Sequence, residues 1–381
     1  MESDVINSSL CKTLGIQFPL FAFTHCRDVV VAVSKAGGFG VFGAVGYTPD
    51  ELETELRWID DHIDGKPYGL DVLVPENLVI KDEIDKSMQA MARRIPPQHL
   101  EFVRQLLERH GVKGGTELAM ERPTLFTAEL AEAQMEVAFR HPIRLIANAL
   151  GVPPPLMIKR ARQHGIPVAA LVGAKEHAVR QVQAGVDIIV AQGAEAGGHC
   201  GEVSTLVLVP EVVRAVNQIK PVPVLAAGGI MTGGQMAACM AMGAAGAWTG
   251  SVWLPTTESE VTQTIRDKLV AAGSRDTVRS TSRTGKPARQ LRSAWTEAWD
   301  AAGSPGSLPM PFQPMLSRPA LKAVDKSAEA GNAQARELVT YFVGQGIGLV
   351  DGVQSARAVV RSFMEEFVAA VEHMQGLVDE V

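Results

Sequence analysis

VAALVGAKEHAVRQVQAGVDIIVAQG, residues 168–193, holds two short apolar runs with a helical pattern between them. Neither run alternates polar with apolar residues. That is how strands read when helices cover the sheet on both faces. A buried strand, a helix and a second buried strand make a parallel βαβ unit.

The alternation extends outward on both sides. Before this unit stand 18–23 (FPLFAF), 39–44 (FGVFGA), 68–75 (YGLDVLVP) and 143–150 (IRLIANAL). After it stand 222–229 (VPVLAAGG) and 245–250 (AGAWTG). Further helical patterns lie at 155–164 and 233–242. Eight strand candidates, mostly separated by helices, predict an α/β fold closed as a (β/α)₈ TIM barrel.

One stretch invites a different reading. GFGVFG at 38–43 spells the glycine fingerprint of dinucleotide sites. That fingerprint needs a strand before it and a helix opening within it. Here 27–36 reads as a helix that ends at Gly37-Gly38. The next helix begins later, where Thr48 caps, Pro49 suits the first turn and Glu51 completes a capping box. The segment therefore reads as a helix stop followed by the second strand.

Two segments exceed a minimal barrel. Residues 76–140 carry helical patterns at 82–92, 99–110 and 127–139, with Pro96-Pro97 as a break. An insertion after the third strand lies on the active-site face, either as a lid or as a packing elaboration. The division expected is a barrel of 1–75 and 141–255, a helical insertion of 76–140 and a helical extension of 256–381. The extension has a Gly/Pro/Ser-rich middle around 301–319. It ends in an amphipathic helix with Ala356, Val359, Val360, Phe363 and Phe367 on one face. That face is expected to pack on the barrel or on a partner subunit, so a homodimer stays open. The acidic polar face (Glu365, Glu366, Glu372) disfavours an anionic lipid surface.

Composition narrows the partners. The 381 residues are 46% hydrophobic and 20% charged, with a formal charge of −6 and no basic run, so nucleic acid is not expected. No leader pattern opens the chain, and the most apolar window, 29–46, holds Lys35 and five glycines, so no membrane span is expected. The four cysteines lack CxxC spacing, so neither a disulfide framework nor a structural metal is expected, and a reducing cytoplasm is the default.

Three clusters carry chemistry. AQGAEAGGH (191–199) follows the sixth strand. Its glycines let the backbone approach a ligand and donate N–H groups. Gln192 offers a donor and an acceptor to the edge of a heterocycle. His199 can serve as a general base or a donor near neutral pH. AAGGI (226–230), with MTGG (231–234) behind it, closes the seventh strand, and WTGS (248–251) closes the eighth. Barrels recurrently bind phosphate in those two loops, through glycine N–H groups and a short helix N-terminus. Most other histidines, such as His62, His99 and His110, read as surface residues of polar helices.

These motifs resemble the nitronate monooxygenase (2-nitropropane dioxygenase) family, which includes FMN-dependent enoyl reductases and NADH:quinone reductases. AQGAEAGGH is the most specific part. AVSKAGGFGVFGA, TGKPARQL (284–291) and GQGIGL (344–349) add to the likeness, which spans most of the chain outside 76–140.

The resemblance implies FMN held non-covalently over the C-terminal mouth of the barrel. Gly197, Gly198, Gly228, Gly229, Gly250 and Ser251 would hold its phosphate and ribityl chain. Gln192 would meet the flavin, and Ala22, Phe23 and Thr24 would pass backbone groups along its ring. His199 would be the catalytic histidine. The implied reaction oxidises alkyl nitronates with O2 to carbonyl compounds and nitrite. The alternative is NAD(P)H-dependent reduction of enoyl thioesters or quinones.

The chain departs from the family at two places. Phe23-Thr24-His25 replaces a Pro-Met pair, and Asp71 replaces an Asn expected to face the cofactor. A carboxylate there needs a proton or a partner, for which Arg27 is the sequence candidate. His25-Cys26-Arg27-Asp28 is either a subgroup-specific site or simply the start of a helix. Cys200 reads as an incidental thiol, since adjacent side chains point apart.

Overall fold

All eight apolar runs form strands, and the strands close on themselves. In the computed structural model, which describes residues 6, 8–73, 91–118 and 128–379, they are β1 (Leu20–Thr24), β2 (Phe39–Gly43), β3 (Tyr68–Val72), β4 (Leu145–Asn148), β5 (Val168–Val172), β6 (Ile188–Gln192), β8 (Val224–Ala227) and β9 (Gly246–Thr249). They pair in parallel, in the order β1-β2-β3-β4-β5-β6-β8-β9, and β9 returns to β1. The barrel expectation holds.

Strand alternation sorts the side chains. Phe21, Phe39, Val41, Leu145, Ala147, Ile188, Val190, Leu225 and Trp248 fill the interior. The first helix, Ser9–Leu14, adds Leu10, Cys11 and Leu14 to that same cluster. It precedes β1, so it plugs the N-terminal end and leaves the C-terminal mouth as the open one.

The glycine fingerprint at 38–43 proves to be packing. Gly37 stops the Arg27–Lys35 helix with φ 98°, and Phe39–Gly43 is β2. A Cβ on Gly40 would stand 2.6 Å from the Val30 carbonyl oxygen, so glycine there lets helix and strand approach. The capping box of Thr48 and Glu51 opens the Pro49–His62 helix as expected.

The 76–140 segment divides differently from expectation. Its helix Ala128–Ala138 packs on β3 and on the Pro49–His62 helix, and Gln134 donates to the carbonyls of Ala44 and Tyr47. It does the covering work of an ordinary barrel helix. Helix Pro97–Arg109 packs instead on Phe312–Glu329 of the C-terminal extension. His99, read from sequence as a surface residue, is 4% exposed and bonds the Gly306 carbonyl. The helix expected at 82–92 lies mostly outside the described residues.

The extension is not purely helical. It contributes β10 (Thr277–Ser280) and β11 (Ala288–Leu291), which join β7 (Gly198–His199) in a small antiparallel sheet, order β10-β11-β7. Its Pro-rich middle runs into the helix Phe312–Glu329, with Pro314 in the first turn and Pro319 inside. The terminal helix Ala356–Asp379 buries Ala356, Val360 and Phe363 and lies along the Gly233–Ala241 helix. Among the described residues no helix is long and apolar enough to cross a membrane.

Candidate active site

The loop after β6 is built by its own polar groups. Gly193 N–H donates to the Ala227 carbonyl at 2.9 Å, tying the loop to β8. The Glu195 carboxylate accepts from Thr205 N–H at 2.9 Å and from its hydroxyl at 3.0 Å. It thereby caps the Thr205–Asn217 helix with an anion, where the helix dipole favours one. Arg289, 8% exposed, donates through Nε and Nη2 to the Ala194 carbonyl at 3.1 and 2.9 Å. Gly198 then takes φ 73°, and the chain enters β7, with His199 opposite Ala288 and Gly198 opposite Arg289.

His199 therefore stands between the barrel and the extension. Its Nε2 lies 2.8 Å from the Thr284 hydroxyl, and its ring centroid lies 6.3 Å from that of Phe342. Desolvation first, and then the Lys286 charge, hold its pKa below the ordinary imidazole value. The ring is exposed to solvent, and both effects favour its neutral form. Burial pushes the neighbouring Cys200 thiol up, and the thiol donates to the Ala194 carbonyl.

The loops after β6 and β9 meet around one glycine. A Cβ on Gly344 would stand 2.6 Å from the Glu195 carbonyl oxygen, 3.1 Å from Gly197 N and 3.3 Å from Ser251 Oγ. Gly344 N–H donates to that Ser251 hydroxyl at 2.8 Å, which leaves the hydroxyl proton free for another acceptor. Gly228 and Gly229 take φ 105° and 71°, and a Cβ on Gly250 would meet nothing within 4 Å.

Two expectations change here. Gly197 is a glycine because residues 343–344 press on it, with Gly344 N at 2.8 Å from where a Cβ would be. The N-terminus of the Gly233–Ala241 helix is also taken: Glu366 accepts from Gly233 N–H at 2.8 Å. Glu366 therefore does not belong to a purely solvated acidic face.

The barrel mouth holds the remaining candidates. Gln192 ends β6 opposite Ala227, on the interior side, half-buried and with no hydrogen-bond partner for its amide among the described residues. Phe23 packs on the interior cluster and stacks near Trp248, with centroids 6.3 Å apart. Ala22 is 0% exposed inside β1 and stands in register with both Gly40 and Thr249. The Thr24 hydroxyl accepts from Cys26 N–H at 3.0 Å and starts the Arg27–Lys35 helix, the plainer of the two readings of 25–28.

Asp71 points into the barrel between Gly43 and Ala147, 2% exposed. Burial drives its pKa up to about 7, against one backbone hydrogen bond from Ala149, and its Oδ1 has no partner. Arg27 does not pair with it. That guanidinium lies 3.4 Å from Glu55 and 4.4 Å from the Trp58 ring centroid. Beside Asp71, His25 covers Gly43: its Nδ1 lies 2.9 Å from the Gly43 carbonyl oxygen, so that nitrogen carries the proton.

Sequence reading missed Thr284, Arg289 and Gly344 as individual parts of the site, although TGKPARQL and GQGIGL contain them. Glu195 was legible only as one residue of the sixth-strand loop.

A family model described as nitronate monooxygenase matches residues 7–366. A Mycobacterium tuberculosis protein whose name marks it as a candidate monooxygenase is 51% identical over 377 residues, covering 98% of this chain and 100% of its own. A probable nitronate monooxygenase of Staphylococcus saprophyticus is 27% identical, over 95% and 98% of the two chains. Among solved structures, nitroalkane oxidase from Streptomyces ansochromogenes matches with TM-score 0.77 and 25% identity, over 96% of this chain and 100% of its own. FabK from Thermotoga maritima matches with TM-score 0.69 and 25% identity, over 98% and 99%.

Proposed function

The chain belongs to the nitronate monooxygenase family, an oxidoreductase family, and on that premise we propose that it oxidises alkyl nitronates with O2 to carbonyl compounds and nitrite, using FMN. The supporting observation is the gathering of three loops at one mouth. Gly228, Gly229, Gly250 and Ser251 lie at one side, and Gln192, Phe23 and His199 lie toward the others.

The donor set fits the cofactor. Left-handed glycines expose backbone N–H groups, Gly250 borders open space, and the Ser251 hydroxyl keeps a proton to give. These residues would hold the phosphate, with Gly198 beside the ribityl chain. Gln192 would present its unpartnered amide to the ring edge. Asp71, its pKa pushed up to about 7, would hold its proton below neutral pH and so limit negative charge beside the ring. Bound FMN would supply the redox step. The chain's share is to bind, orient and manage protons. Neutral His199 offers a lone pair for the proton on the carbon beside the nitro group of a neutral nitroalkane, and the loss of that proton to the imidazole gives the nitronate that is oxidised. The Lys286 charge makes the surroundings of His199 cationic, which suits an anionic substrate. The four free cysteines fit a reducing compartment, the cytoplasm.

The reading is tested by absorption of the purified protein, mixed anaerobically with nitronate or with NADH. Flavin bleaching by nitronate alone is expected. Rapid bleaching by NADH would favour the reductase, and a protein that neither contains nor takes up FMN would end the proposal.

The phosphate end has its own test. Gly250→Asp is expected to weaken FMN binding about a hundredfold in a fluorescence titration, by charge repulsion at the anion site. Its Cβ meets nothing within 4 Å and its φ is −131°, so the variant should keep its circular dichroism spectrum. Gly229→Asp is less clean, because φ 71° and the Glu195 side chain at 3.0 Å already oppose a side chain there. Unchanged affinity in Gly250→Asp places the phosphate elsewhere.

A further inference from the structure

We propose that Thr284 is the positioning residue of His199: its hydroxyl holds the Nε2–H tautomer, so that Nδ1 is the nitrogen turned to the reaction. This rests on the reading of His199 as the catalytic base.

The Thr284 hydroxyl lies 2.8 Å from His199 Nε2 and 3.1 Å from the Lys286 carbonyl oxygen, and it accepts from Lys286 N–H at 3.3 Å. A hydroxyl has one proton, and a carbonyl can only accept. If that proton goes to Lys286, the imidazole must donate, and both short contacts become hydrogen bonds. If it goes to His199, the Lys286 contact is lost. The first arrangement makes one more bond, and it requires Nε2–H. Among the described residues no protein group bonds to His199 Nδ1, so that lone pair is left open.

The hydroxyl is also held in place. Gly285 N–H donates to the Thr281 carbonyl at 2.8 Å, and the Ser317 hydroxyl donates to the Arg283 carbonyl at 2.6 Å. Arg283 donates to the Thr340 carbonyl at 3.2 Å, and its guanidinium sits 4.3 Å from the Phe342 ring centroid. The turn that carries Thr284 is thus pinned on both flanks, while His199 is pinned through its strand pairing with Ala288. Two rigid pieces meeting at one hydrogen bond set a tautomer better than a flexible partner would.

The test joins a spectrum to kinetics. In protein labelled with 15N-histidine, two-bond 1H–15N correlations identify the tautomer, and His199→Asn assigns the signals. The wild type is expected to show Nε2–H at position 199. Thr284→Val is expected to lose that pattern, and kcat on a neutral nitroalkane to fall about tenfold with KM within about twofold, the order expected for one hydrogen bond to a catalytic group. Its acid limb should move to lower pH, because the lost acceptor favoured the imidazolium. Thr284→Ser should restore tautomer and rate together. An Nδ1–H wild type overturns the proposal. So does a Thr284→Val protein with the wild-type tautomer, or a Thr284→Ser protein as impaired as Thr284→Val. If His199→Asn retains full activity, the proposed catalytic role fails, and the spectrum still decides the tautomer.

Discussion

His199→Asn should keep its flavin and lose turnover of a neutral nitroalkane, which must first give up a proton, by about three orders of magnitude, the usual scale of a lost general acid–base group. Asparagine is smaller than histidine and can still donate to Thr284, so the antiparallel pairing of β7 with Ala288 should survive. It has no titratable nitrogen. The flavin absorption band should therefore remain while kcat collapses. In the wild type, kcat/KM should fall toward acid as the imidazole takes up a proton. Desolvation and Lys286 depress that pKa, so the midpoint should lie below the ordinary imidazole value, with a plateau by neutral pH. Steady-state nitrite release across pH checks both parts. Full activity in the variant would remove His199 from the chemistry.

Asp71→Asn should make the protein more stable than the wild type above neutral pH, relative to acid, by about 4 kcal/mol. The sign follows from proton uptake. The carboxyl has a pKa of about 7 when folded and the ordinary aspartate value when unfolded. Between about pH 4 and pH 7 the folded chain binds more protons, so wild-type stability falls as pH rises and levels off above the folded value. The side chain is 2% exposed, so little solvent screening reduces the effect. Asparagine keeps an acceptor for Ala149 and carries no charge, so the variant should lack this slope. Chemical denaturation of both proteins at pH 5 and pH 8 decides it, and parallel curves would show that Asp71 does not titrate as argued.

The legible and illegible parts of this chain separate by range. The start of the Pro49–His62 helix could be placed to the residue because Thr48, Pro49 and Glu51 act within one turn. The strand at 188–192 could be placed because burial on both faces leaves a continuous apolar run. The opposite case is Phe312–Glu329, a helix where prolines argue for a break. Pro314 falls in the first turn, where no bond is lost, and the cost of Pro319 is offset by burial of Met315, Leu316, Leu321 and Val324.

What local chemistry determined was the barrel, its order of strands and helices, and the loops that carry Gln192, His199, Gly228 and Gly250. Periodicity, caps and turn glycines act over a few residues, so they are written where they act. Tertiary structure alone decided that Thr284 meets His199 from 85 residues away, that Gly344 presses on Gly197, and that Glu366 occupies the Gly233 helix end. Those contacts come from the extension folding back over the mouth. They depend on pairings with no local periodic signal, so no spacing along the chain records them.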